Sequence, residues 1–82
     1  MKIKLLSYTD EFDNTKGTLC ALNADADLAD ESICDAISRK LGEMFVEDPM
    51  ELYEIARQIC HFGKSEHHEY SLYFEETELL EI

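Results

Sequence analysis

Residues 48–63, DPMELYEIARQICHFG, carry both a start and a stop for a helix, and that helix limits what the rest of the chain can do. Asp48 offers a side-chain acceptor to unpaired first-turn amides, Pro49 fits the first helical position, and Glu51 stands at the capping-box spacing. Gly63 supplies the left-handed stop. Between these ends Leu52, Ile55, Ala56, Ile59 and Phe62 recur at helical spacing, with Tyr53 and Cys60 on the flank. Glu54, Arg57, Gln58 and His61 fall on the solvent side. A helix with one apolar stripe must bury it against another element, so a second layer is required.

The segment before it offers a second stripe, Ala29, Ile33, Ala36, Ile37, Leu41 and Met44, also at a period of 3.6. Asp27 or Asp30 can cap it, and Glu31 suits the positive end of its dipole. Glu31, Asp35, Ser38 and Arg39 point away from the stripe, with Asp35 and Arg39 at pairing distance along the helix. A short link around residues 45–47 makes the two helices an antiparallel pair.

The flanks read as strands. KIKLLSY (2–8) places Ile3 and Leu5 on one face and Lys2, Lys4, Leu6 and Tyr8 on the other. DEFDNTKG (10–17) is turn-forming, and TLCALN (18–23) is its hairpin partner. In residues 69–82, Tyr70, Leu72 and Phe74 alternate inward against Glu69, Ser71, Tyr73 and Glu75, and Leu80 and Ile82 keep that parity. Either a bulge near residues 76–78 lets this strand continue, or a short final strand follows a turn. The expectation is an α+β fold in ββααβ order: a small, mainly antiparallel three-stranded sheet with an antiparallel helix pair on one face. Residues 1–82 form one domain, because 82 residues support one core and leave no room for a second.

Charge and composition exclude several functions. Nineteen acids face seven bases, a formal net charge of −12, while 45% hydrophobic residues argue against a disordered acidic tail. Such a surface repels nucleic acid and anionic lipid, so neither direct nucleic-acid contact nor membrane contact is expected. Apolar runs fall far short of the roughly 20 residues that cross a bilayer, and no signal-like segment follows Lys2 and Lys4. Cys20, Cys34 and Cys60 form no CxxC pair and lie in apolar contexts, which fits buried thiols and a cytoplasmic setting.

No catalytic motif is present, and no enzyme activity, cofactor or metal is expected. His61, His67 and His68 match no structural zinc spacing. Simpler roles are that His61 stabilises a helix C-terminus and that His67 and His68 open an exposed strand. Each thiol sits in apolar or acidic surroundings, which raise its pKa and disfavour nucleophilic use. The stretch DADLADESICDA lacks the glycine and the terminal glutamate of a calcium loop.

The distribution of acid is what remains. Charged residues recur every four positions at Asp27, Glu31, Asp35, Arg39, Glu43, Glu47 and Glu51. That spacing is about 6 Å of helical rise, against about 3.4 Å between phosphates of one DNA strand, so the ladder is a coarse imitation of a phosphate path. Acids on a solvated helix face are the simpler alternative. Like charges at this spacing cost helix stability, which favours partner binding. With Glu54, Glu75 and Glu76 completing the acidic surface and Tyr53 and Tyr73 as aromatic anchors, these acids form the expected partner-binding face.

In size, acidity and lack of catalytic signature the chain resembles the small inhibitors that phages and mobile elements use against host defence, including anti-CRISPR and antirestriction proteins. The resemblance is to a class and aligns no residues. It implies a cytoplasmic binding protein, in the host cytoplasm if phage-encoded, that occupies a basic protein or nucleoprotein surface. The alternative is an accessory subunit or homodimer pairing through the edge of the final strand, using Tyr70 to Phe74 and Leu79-Leu80, with acidity serving solubility.

Overall fold

In the computed structural model, which describes residues 2–78, the order of elements is β1 (Lys2–Asp10), β2 (Thr15–Asn23), α1 (Glu31–Met44), α2 (Pro49–Phe62), β3 (Lys64–His67) and β4 (Tyr70–Glu78). The α+β class holds, but the sheet has four antiparallel strands in the order β2-β1-β4-β3, one more than expected. The additional strand, KSEH, has no apolar periodicity because it is an edge strand. Its one buried residue is Ser65, whose hydroxyl donates to Gln58 Oε1 of α2 at 2.9 Å.

β1 and β4 form the centre of the sheet, pairing without interruption from Lys2↔Glu78 to Asp10↔Tyr70. No bulge falls in residues 76–78 of this pairing; the register shift lies instead between Leu6 and Ser7, against β2. The expected continuation through Leu79, Leu80 and Ile82 lies outside the described residues. Because β4 is central, Tyr70 to Tyr73 are paired on both sides, and the Phe74 amide donates to Gly63 O. This corrects the expectation that residues 70–74 offer a free edge for a dimer; the sheet edges are β2 and β3.

The helices lie side by side on the face carrying Leu6 and Leu72. Antiparallel packing follows from two contacts: Gly42 near the end of α1 lies against Leu52 near the start of α2, and Cys34 lies beside Cys60. Leu6, Ile37, Leu41, Ile59 and Leu72 are fully buried, with Cys34, Phe45, Leu52, Ile55 and Ala56 completing the core. On α1 the buried stripe is Cys34, Ile37 and Leu41, flanked by Ile33 and Met44, while Ala29 and Ala36 are exposed. Phe62, expected in the core, is 69% exposed: it is the last residue of α2 and stacks edge-on against His61. Ser7, Thr9, Tyr73 and Glu75 occupy the opposite face of the sheet, where Thr9 and Tyr73 share a hydrogen bond of 2.8 Å and Ser7 donates to Glu75.

Punctuation behaves as the residue chemistry requires. Asp30 and Asp48 cap α1 and α2, accepting from the Ser32 and Met50 amides. Gly63 stops α2 at a φ of 80°. Bonding from the Ser32 amide and hydroxyl holds the Asp30 carboxyl below its ordinary value. A depressed folded-state pKa contributes stability that is present above the unfolded value, about 3.9, and is lost as pH falls through the folded one. The stability gap between the native chain and Asp30→Ala in urea titrations is therefore expected to narrow as pH falls below about 4. A gap independent of pH would remove the carboxylate charge from the cap.

Candidate functional site

Three chain reversals meet at one end of the molecule. The β1–β2 turn bonds the β3–β4 turn directly, Glu11 N–H donating to Glu69 O at 2.8 Å, and Ser71 Oγ donates to the Glu11 carboxylate. The α1–α2 link is fastened to the same place by Phe45, whose ring meets Tyr70 at 5.3 Å and His67 at 4.8 Å, both edge-on. Tyr70 in turn packs edge-on against Tyr8. Asp10, buried at the end of β1, accepts from the Phe12 and Asp13 amides and shapes the first turn.

The segments brought together, 10–14, 45–51 and 66–70, contain Asp10, Glu11, Asp13, Glu47, Asp48, Glu51, Glu66 and Glu69 and not one lysine or arginine. Three large apolar side chains stand exposed among these acids: Phe12 in the first turn, Val46 in the link and Met50 in the first turn of α2. The Tyr70 phenol is pushed up by desolvation first and then by the charges of Asp10, Glu69 and Asp13.

Within this end, Glu47, His67 and His68 form a compact cluster. Both imidazole Nε2 atoms reach the same oxygen, Glu47 Oε1, at 3.2 Å from His67 and 3.0 Å from His68. Glu47 and His67 are largely covered, with side chains 23% and 16% exposed, while His68 is 59% exposed. His68 sits in the two-residue turn with a left-handed φ of 53°. Its bond to Glu47, reinforced by the charges of Glu47, Glu69 and Glu51, raises its pKa. Bonding from His68 first, and also from His67, lowers that of Glu47.

The acids expected to form one partner-binding face are divided among several places. Glu47 and Glu51 belong to the end just described. Glu31, Tyr53 and Glu54 line an open groove of about 650 Å³ between the helices, together with Cys34, Arg57 and Cys60. Asp35 acts on the same Tyr53, whose phenol is raised by desolvation and by Cys34, Glu31 and Asp35. Glu43 pairs with Lys40 at 3.5 Å. Tyr73 and Glu75 lie on the face of the sheet away from the helices, Glu76 opposite Lys4 in the β1–β4 register, and Asp27 before α1, where its carboxylate accepts from the Ala29 amide.

The four-residue ladder is therefore not continuous. Asp27 and Glu47 lie outside the helices, so among its acids only Glu31 and Asp35 are helical neighbours four apart. Lys40–Glu43 is the one ion pair between a lysine or arginine and a carboxylate among the described residues, and the expected Asp35–Arg39 pair is not closed. The thiols are all shifted upward by desolvation, Cys60 to about 11, which keeps them protonated near neutrality.

Sequence reasoning missed Phe12, Val46 and Met50 because isolated apolar residues next to acids read as ordinary turn and helix-start residues. Glu47 is not linked to the histidines by any local pattern, because it precedes His67 by 20 positions with the whole of α2 between them. No helix of the described residues is long and apolar enough to cross a membrane. Comparison of the chain with family models, with curated proteins and with solved structures finds no match.

Proposed function

We propose that the protein is a non-catalytic acidic binding protein that docks on a basic surface of another protein, of the kind that otherwise holds nucleic acid. The observation that carries this reading is the gathering of eight acids and no lysine or arginine at the end built from residues 10–14, 45–51 and 66–70. Unneutralised charge of one sign steers a cationic partner and sets the association rate. Phe12, Val46 and Met50, exposed within that field, supply the apolar anchors from which residence time comes. Tyr53 with Glu31 and Glu54 forms a second acidic margin along the helix groove, with Asp35 acting on the same Tyr53, and Tyr73 and Glu75 a third on the outer face of β4.

The test is affinity capture from the cell of origin, followed by direct binding to the captured basic protein with the native chain and an Asp13→Lys, Glu69→Lys double variant. Capture is expected to fail as salt rises from about 0.05 to about 0.5 M, where exposed charges are screened. The double variant is expected to bind about tenfold more weakly or worse at low salt, mostly through slower association, with its circular dichroism unchanged. Equal affinity of the two chains would remove this end as the docking surface. Salt-independent self-association in place of capture would point to assembly with copies of itself.

A further inference from the structure

We propose that Glu47, His67 and His68 form a three-ligand site for a divalent transition-metal ion, zinc foremost, with a fourth position open to solvent. The site goes beyond docking on a basic surface and does not depend on it. Its donor set, two imidazole nitrogens and one carboxylate oxygen, is one that suits zinc, copper and nickel and that magnesium and calcium use poorly.

The geometry is close to what such an ion requires. Ligand atoms around a tetrahedral zinc with bonds of 2.0–2.1 Å stand roughly 3.3 Å apart. The two Nε2 atoms lie 3.2 and 3.0 Å from Glu47 Oε1, and one donor atom from each of the three residues lies within 4.8 Å of the others.

Each ligand is also held by the fold. His67 ends β3, paired with Tyr70, and its ring rests edge-on against the buried Phe45. His68 is set by the left-handed turn that follows. Glu47 lies two residues beyond Phe45 in the link between the helices, so the contact that buries Phe45 also delivers the carboxylate. Glu51 and Glu69 act on His68 from α2 and from the turn, adding negative charge that favours a cation over the empty site. His68, more than half exposed, leaves one side open for water or for a donor from another molecule.

The test titrates the reduced, chelator-treated full chain with zinc in excess magnesium, by calorimetry and by NMR of the imidazole resonances. One equivalent is expected to bind, shifting the ring protons of His67 and His68 and leaving those of His61, which stacks on Phe62 elsewhere. His67→Ala and His68→Ala are each expected to weaken binding by at least about tenfold, and His61→Ala to leave it unchanged. A cobalt-loaded sample is expected to show no thiolate-to-metal charge-transfer band. Displacement of zinc by magnesium would mean diffuse carboxylate binding and would overturn the site, as would a thiolate band. Should either alanine variant unfold, the native chain still decides: His67 and His68 resonances unmoved at one equivalent of zinc refute the proposal.

Discussion

Replacing Leu6 with alanine is expected to remove about 2–5 kcal/mol of stability, the usual cost of a fully buried leucine once the residual cavity is included. Leu6 is completely shielded at the centre of β1, between Cys20 of β2 and Phe74 of β4, on the face that α1 and α2 cover. A small domain has a total of about 5–15 kcal/mol, so the variant is expected to unfold at a much lower urea midpoint and to be partly unfolded at 37 °C. Leu5, one residue earlier, supplies the control. It points to the opposite face, between Ala21 and Glu75, and is only half-buried. Leu5→Ala is expected to cost about 1 kcal/mol or less, in proportion to the apolar area it removes from water. Equal losses for the two in urea denaturation would contradict the placement of the helices on the Leu6 face.

Gly17→Val is expected to be destabilising although valine is the better strand residue. Gly17 pairs with Tyr8, whose ring lies over the glycine so closely that any Cβ at position 17 would collide with it. A valine must therefore drive Tyr8 off its rotamer and out of its edge-on contact with Tyr70. Overpacking of this kind costs about 1–3 kcal/mol, whereas strand propensity returns at most about 1 kcal/mol. The clash prevails because the ring has to be displaced, not merely nudged. The same valine in a Tyr8→Ala background is expected to be neutral or stabilising, and a double-mutant cycle by urea denaturation measures the difference. Additive effects would show that Tyr8 does not close over Gly17 in solution. Displacing Tyr8 also loosens Tyr70, against which Phe45 packs, so Gly17→Val is expected to broaden the NMR lines of His67.

Much of the fold is legible from local chemistry. Asp48, Pro49 and Gly63 bound α2 because each satisfies or terminates a backbone requirement that involves only neighbours in sequence. The alternation of Tyr70, Leu72 and Phe74 identifies β4 because its inward side faces a single apolar layer. The amphipathic stripe of α1 is visible in position but not in membership: periodicity admits Ala36 as readily as Cys34, and the packing of α1 chiefly against α2 buries the thiol beside Cys60 and Tyr53 and leaves the alanine outside. β3 was hidden for a related reason. Its stabilisation comes from backbone pairing with β4 and one Ser65–Gln58 bond, neither of which requires an apolar residue.

What the sequence determined by itself is the count of helices, both ends of the second, the first hairpin and a surplus of acids that its few bases cannot neutralise. These follow from interactions spanning a turn or two of chain, and from simple addition of charge. Where that charge collects was decided by tertiary structure alone. Pairing β1 with β4 across some 60 to 76 residues sets the first turn beside the last one. Burial of Phe45 then brings the helix link to both. Local patterns carry no information about such closures, because the free energy that drives them comes from apolar surface buried between segments far apart in sequence. The same closure delivers Glu47 to His67 and His68, and with it the one constellation in the described residues suited to holding an ion.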